Sequence, residues 1–176
     1  MNPSTNETRE LLAATALTYA GTPYQWGGQS RLGVDCSGLV IQALRAISPG
    51  HRDMNAAYMA DHCREAGEGE DRYGCAVCMA GNSGKVTHVA LIVEHDQLDT
   101  RSRMMPQGFI QTPDPLCIEA GKGGSGDRMP DSLSGYPEWA TSQIDRGHCV
   151  ELRRLSEILA RGKTVYRVVD VAGGAE

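Results

Sequence analysis

The sequence is poor in aromatic residues and in positive charge. Aromatic residues make up 5% of the 176 residues and phenylalanine occurs once, so the core must rest chiefly on aliphatic side chains and methionine. Lysine and arginine number 17 against 22 acidic residues, which gives a net charge of −5 without any basic block. Because nucleic-acid-binding domains carry a basic patch or stripe, we expect no nucleic-acid partner.

Long apolar runs are also missing from the sequence. No stretch of roughly 18 apolar residues occurs, so no membrane-spanning helix and no membrane partner are predicted. The first twenty residues, MNPSTNETRELLAATALTYA, do not combine a basic start with an apolar core, so no secretory signal is predicted. We expect synthesis in the cytoplasm, and an extracellular target would be reached by lysis, by injection or as part of a virion.

The periodicity of the apolar residues indicates one domain, residues 1–176, of the α+β class. Helical spacing comes first along the chain and short apolar runs rich in branched residues follow. Two segments without periodicity, 96–114 and 121–147, are predicted to be long loops of the kind that carry specificity. The predicted helices are 7–19, 36–47, 54–66 and 152–160, and the predicted strands are 75–79, 88–94, 116–120 and 164–171.

Six cysteines admit a disulfide framework, a metal site or free thiols. The chain is longer than the disulfide-stapled mini-domains and has no predicted signal, which favours free thiols. The Cys75-x-x-Cys78 spacing raises a zinc or redox site. Zinc would need two further ligands in a paired pattern, and the sequence offers none. We therefore predict neither a metal nor a cofactor.

The segment GVDCSGLV places Cys36 at the beginning of a predicted helix. A thiol attacks carbonyl carbon as its thiolate, and the unpaired N–H groups and dipole of a helix N-terminus favour negative charge. The same N–H groups are suited to an oxyanion. Alone, the pattern also fits a buried structural cysteine, since cysteine is among the most buried residue types.

A nucleophilic cysteine needs a base and a group that orients the base. Of five histidines, only His88 is predicted to open an apolar strand, and Glu119 interrupts the apolar run of the next one. His88 is therefore the candidate base and Glu119 the candidate orienting group. The alternative for Glu119 is an ion pair with a basic side chain, and Asp35 is also a natural N-cap of the helix.

Four blocks in this order, GTPYQWGG, VDCSGLVIQAL, THVALIV and CIEA, resemble the NlpC-type family of papain-like cell-wall cysteine peptidases. The resemblance covers roughly residues 8–120 and the later run TVYRVVD. It implies a papain-like fold in which the helix with the nucleophile packs on an antiparallel sheet. It also implies Cys36 as nucleophile, His88 as base, and a third catalytic position, commonly histidine, that falls here on Glu119. In related enzymes Tyr24 would line the site, while Asp35 and Ser37 would help to hold substrate.

The activity implied by this resemblance is hydrolysis of an amide bond in the stem peptide of bacterial peptidoglycan. Together with the absence of a predicted signal, it favours a phage lysin, a phage tail hydrolase or an injected effector, with a phage tail or injection system as partner. The alternatives are a non-catalytic phage tail component that keeps the fold, and a papain-like hydrolase of another amide or thioester.

Overall fold

Six antiparallel strands form the central sheet of the protein. The computed structural model describes residues 5–67, 70–94, 114–121 and 128–175. The helices are α1 (Thr5–Leu17), α2 (Cys36–Ile47), α3 (Ala56–His62), a 3-10 helix (Leu133–Gly135), α4 (Tyr136–Asp145) and α5 (Leu155–Leu159). The strands are β1 (Gln29–Ser30), β2 (Gly33–Val34), β3 (Cys63–Glu65), β4 (Ala76–Ala80), β5 (Val86–Ile92), β6 (Leu116–Ala120), β7 (Val150–Arg154) and β8 (Thr164–Ala175).

The strand order in the sheet is β3-β8-β4-β5-β6-β7. The last strand along the chain therefore lies between β3 and β4, and β5 and β6 are neighbours inside the sheet. β1 and β2 form a separate two-stranded ribbon just before α2. This order places the strands with His88 and Glu119 side by side.

Both faces of the sheet are covered, as the alternation of its side chains requires. On β4, Ala76 and Cys78 belong to the larger apolar cluster, which also takes in residues of α1, α2 and α3. Val77 and Met79 belong to a second cluster, which includes Ile158 of α5. Because β4 is buried on both faces, its sequence AVCMA is a continuous apolar run rather than an alternation of apolar and polar residues.

A buried ion pair fastens the first helix to the last strand. Arg9 of α1 and Asp170 of β8 are almost fully buried, and an Arg9 Nη2–Asp170 Oδ2 distance of 2.8 Å joins them. Glu70 and Arg64 complete the network at 2.5 and 2.9 Å from these two side chains. Burial alone would raise the pKa of Asp170, but its hydrogen bonds to Arg9 and Arg64 keep it below its usual value.

Two of the predicted elements match the structure from end to end. The helix that begins at Cys36 and the strand Leu116–Ala120 are both confirmed. No described helix has the length and apolar character needed to cross a bilayer.

Other predicted elements are wrong in part. The helix predicted over 152–160 is divided between β7 and α5, because residues 150–154 pair with β6 at the edge of the sheet. The helix predicted over 54–66 ends at His62, because the following residues pair with β8. His88 is the third residue of β5 rather than its first, since the strand begins at Val86.

The loop predicted over 121–147 is also wrong in part. Residues 133–135 form a 3-10 helix and 136–145 form α4, in which the rings of Tyr136 and Trp139 lie 5.7 Å apart. A proline lies in the first turn of α4. Proline is common in loops, but it is also compatible with the first turn of a helix. Of the loop predicted over 96–114, residues 96–113 lie outside the described residues.

Close backbone approach explains Gly38, and a left-handed backbone conformation explains Gly27 in the turn before α2. A Cβ atom on Gly38 would lie 2.0 Å from the carbonyl oxygen of Gly28. Gly27 adopts a φ of +71°, which residues with a side chain rarely adopt. The turn therefore packs directly on the first turn of α2, and this contact requires a residue without a side chain at position 38.

We predict that Gly38→Ala lowers the free energy of unfolding by about 1–3 kcal/mol, the usual cost of overpacking a dense site. The clash is with backbone, so it outweighs the better helix propensity of alanine. Urea unfolding measures the effect. Gly50→Ala is the matched control, because a Cβ there meets no atom within 4 Å. Equal stability of the two variants would contradict the packing argument.

Candidate active site

Cys36 is the first residue of α2, and Asp35 is its N-cap. Asp35 Oδ1 accepts hydrogen bonds from the backbone N–H of Gly38 at 2.6 Å and from the hydroxyl of Ser37 at 3.0 Å. Its Oδ2 accepts one from the backbone N–H of Gly27 at 2.9 Å. These bonds fix the start of the helix and tie it to the preceding turn. The capping interpretation of Asp35 is therefore confirmed.

An open cleft of about 330 Å³ lies in front of Cys36. Three of the predicted site residues line it: Tyr24, Cys36 and His88. Asp35 and Ser37 are not among its described lining, and Glu119 lies buried behind His88. The other lining residues are Trp26, Thr87, Ala120, Gly121, Ile158, Arg161 and Lys163.

Tyr24 is held rigidly at the wall of the cleft. Its side chain is part of the core and the residue is 4% exposed. Its backbone N–H donates to the carbonyl oxygen of His148 at 2.7 Å, and it forms a parallel bridge with Val34 of β2. The backbone of Tyr24 is thus connected to the start of α2 through the ribbon β1–β2.

His88 and Glu119 lie on the same face of adjacent strands. Leu91 pairs with Ile118, and this register continues to set Glu119 opposite Ala90, two residues from His88. Diagonal neighbours of this kind are within reach of long side chains. His88 Nε2 lies 2.5 Å from Glu119 Oε2. The side chain of His88 is 12% exposed and that of Glu119 is fully buried.

The second oxygen of Glu119 has partners of its own. Arg161 Nη1 donates to Glu119 Oε1 at 2.7 Å, and Arg153 Nε lies 3.6 Å from the same oxygen. Glu119 therefore contacts a histidine and an arginine at once, and these are the contacts that the orienting and the ion-pair interpretations each require. Arg161 was not predicted as a site residue, and no local sequence pattern marks it, because it lies 42 residues from Glu119 in a turn after α5.

The charges of this cluster shift the pKa values of its members. Burial would raise the pKa of Glu119, but the hydrogen bond and charge of His88, together with Arg161, keep it below its usual value. Burial would lower the pKa of His88, but hydrogen bonding to Cys36 and to Glu119 raises it to about 9. Since Nε2 faces Glu119, Nδ1 is the ring nitrogen left for Cys36. The arrangement therefore favours an imidazolium between two acidic groups.

Cys36 differs from the other five cysteines in being partly exposed. None of the six forms a disulfide bond, and burial raises the pKa of Cys75, Cys78 and Cys117 to about 12. Among the described residues, no group of three or more His, Cys, Asp or Glu side chains is arranged to hold a metal ion. Cys75 and Cys78 are thus buried thiols within the sheet region.

The segment that carries Cys36 and His88 is similar to a known protein family. Residues 21–105 match the model of the NlpC/P60 family. The resemblance to the NlpC/P60 family is confirmed. A 35-residue segment, 20% of the chain, is 60% identical to dipeptidyl-peptidase 6 of Lysinibacillus sphaericus. That segment spans only 13% of the length of this curated relative.

Solved structures agree with the fold. The NlpC/P60 domain of the peptidoglycan hydrolase SagA is similar with a TM-score of 0.53 and 17% identity, over 92% of this chain and 97% of that one. The peptidoglycan hydrolase RipB of Mycobacterium tuberculosis gives 0.53 and 18%, over 95% and 67%. NlpC1 of Trichomonas vaginalis gives 0.57 and 16%, over 92% and 43%. At these identities the likeness concerns the fold, and the predicted α+β fold of NlpC type is confirmed.

We predict that iodoacetamide labels the native protein once, at Cys36. The other cysteines are buried, and reactivity requires an accessible thiolate. Intact mass followed by peptide mapping identifies the labelled residue. Protein unfolded in urea is the control and takes up six labels. Native labelling at Cys63 or Cys149, which are 7% and 8% exposed, would contradict the prediction.

We also predict a pH-dependent contribution of His88 to stability. Its pKa rises from 6.5 to about 9 on folding, so the folded protein holds this proton more tightly than the unfolded chain. The stabilisation is complete below about pH 6.5 and is lost as the pH rises through about 9. The difference in free energy of unfolding between wild type and His88→Asn should shrink over that range, as urea titrations at several pH values measure. A constant difference would contradict the raised pKa.

Proposed function

We propose that the protein is a cysteine peptidase that hydrolyses an amide bond in the stem peptide of bacterial peptidoglycan. The observation that carries the proposal is that Cys36 and His88 line one cleft and that His88 contacts both Cys36 and the buried carboxylate of Glu119. The match to the NlpC/P60 family and the fold shared with peptidoglycan hydrolases support a cell-wall hydrolase.

In the first half of the proposed reaction, the Cys36 thiolate attacks the amide carbonyl. The carbon becomes tetrahedral, and backbone N–H groups at the start of α2 stabilise the oxyanion, because N–H groups at a helix start have no acceptor inside the helix. The N–H of Gly38 is not one of them, since it donates to Asp35 Oδ1. The imidazolium of His88 gives its proton to the departing amine as the carbon–nitrogen bond breaks. The products of this half are the amine and a thioester on Cys36.

In the second half, water attacks the thioester. His88, now neutral, takes a proton from the water, and the carbon–sulfur bond breaks to release a carboxylic acid and the Cys36 thiolate. Glu119 keeps the imidazole ring in one orientation and stabilises its protonated form, as the carboxylate of a serine protease triad does. No co-reactant besides water is required.

The proposed scissile bond lies next to D-glutamate and a diamino acid, or is the muramoyl–L-alanine amide. The cleft volume of about 330 Å³ is within the range of small-ligand sites, so it suits a short peptide segment. Two cationic side chains at its wall, Arg161 and Lys163, suit a substrate that carries carboxylates. Asp35 would act here through the helix start, because its carboxylate already accepts three hydrogen bonds.

Replacing Cys36 by alanine should abolish the release of muropeptide fragments from purified peptidoglycan, because the thioester cannot form. His88→Asn should reduce the release by at least about 100-fold, the usual contribution of a general acid–base. Mass spectrometry of the soluble products measures the rate and identifies the new ends.

The control variants are Cys63→Ala, which removes a buried thiol, and His51→Ala, which removes a half-buried imidazole away from the cleft. Both should keep wild-type activity if they keep wild-type stability. Undiminished cleavage by Cys36→Ala would overturn the catalytic proposal. No cleavage by the wild type would overturn the peptidoglycan proposal and would favour another amide or thioester substrate.

A further inference from the structure

The buried carboxylate of Glu119 divides its two oxygens between two partners. Oε2 faces His88 Nε2 at 2.5 Å, and Oε1 accepts a hydrogen bond from Arg161 Nη1 at 2.7 Å. A carboxylate bound on one side only could rotate and exchange its oxygens. With both sides occupied, one orientation of the carboxylate, and hence of the His88 ring, is favoured.

The other charged groups around Glu119 do not replace Arg161. Arg153 of β7 is nearer to Glu151, to which both its Nε and its Nη2 donate, and lies 3.6 Å from Glu119. Glu151 lies directly opposite Glu119 in the register of β6 and β7 and adds negative charge. Cys117, on the same strand as Glu119, is a buried thiol. Arg161 is thus the cation that, besides His88, directly bonds this carboxylate among the described residues.

The backbone at Gly121 packs closely against the pair. A Cβ atom on Gly121 would lie 2.8 Å from Glu119 Oε1 and 3.1 Å from Arg161 Nη1. The carboxylate and the guanidinium therefore fill the space that a side chain at 121 would need. Arg161 nevertheless reaches the cleft wall, and its side chain is 28% exposed.

We propose that Arg161 is a positioning residue that holds the Glu119 carboxylate ionised and oriented toward His88. The proposal rests on the proposed function for its meaning in catalysis, but the effect on Cys36 can be measured without a substrate. Without Arg161, the buried carboxylate keeps one partner and takes up a proton more readily, so the imidazolium loses support. Alkylation of Cys36, which depends on its contact with that imidazolium, then becomes slower at a fixed pH.

The test is the pH dependence of Cys36 alkylation by iodoacetamide in Arg161→Ala, Glu119→Gln and the double variant. Arg161→Ala should raise the pH of half-maximal alkylation by about one unit, which is about tenfold in rate at a fixed pH below it. In the Glu119→Gln background, removing Arg161 should cause no further shift, because the group through which it acts is already neutral. Arg161→Lys should recover part of the shift.

The matched control is Arg154→Ala, which removes a neighbouring arginine that bonds Glu94 and Asp114 rather than Glu119. It should leave the alkylation profile unchanged. Equal shifts from Arg161→Ala in both backgrounds would overturn the proposal. An unchanged profile with a raised KM for peptidoglycan would also overturn it and would make Arg161 a substrate contact.

Addition of guanidinium ion at millimolar concentration gives a second measurement. Because the Arg161 side chain lies at an open cleft, a free guanidinium can enter the space left in Arg161→Ala and restore the alkylation profile. It should not restore Glu119→Gln. If the coupled shifts are found but the wild type does not cleave peptidoglycan, the proposed function fails while the positioning role of Arg161 stands. If peptidoglycan is cleaved and the shifts are absent, the positioning role of Arg161 fails while the proposed function stands.

Discussion

A carboxylate without solvent contact is expensive unless cations surround it, and Glu119 meets this condition from two directions. Leaving such a group with too few partners typically costs about 3–5 kcal/mol. The fold therefore has to place His88 of β5 beside Glu119 of β6, and it has to bring Arg161, in the turn after α5, to the same carboxylate. The site geometry follows from that requirement, since the contact that neutralises Glu119 on one side is the contact that orients His88.

The parts of the site that were predictable from sequence are those encoded locally. An aspartate before a cysteine and an apolar helical repeat specify where α2 begins, because capping and periodicity act within one turn. The run at 116–120 is short, apolar and bounded by a proline and a glycine, so it was predicted to the residue. Cys36, His88 and Glu119 were candidates because their chemistry is recognisable from residue type and order, and the structure brings the three side chains together.

The parts that were missed depend on contacts between distant segments. Residues 152–154 have helical spacing, but an edge of β6 was available to pair with them, and tertiary hydrogen bonds override weak local preference. Arg161 lies in a short turn whose residues indicate only that the chain reverses. Its role depends on a partner 42 residues away, and no periodicity in the sequence indicates a contact at that distance. The helix α4 was hidden for another reason, because proline and glycine at its start are equally common in loops.

The hydrogen bonds of Asp35 and the Gly28–Gly38 contact join the Tyr24 turn to α2 as one solid piece. The same turn is also bonded to the edge of the sheet, because the N–H of Tyr24 donates to the carbonyl oxygen of His148 and the N–H of Val150 donates to that of Thr22. The segment that walls the cleft therefore links the helix of the thiol to the sheet of the imidazole. The shape of the cleft and the separation of the two reacting groups depend on the same contacts.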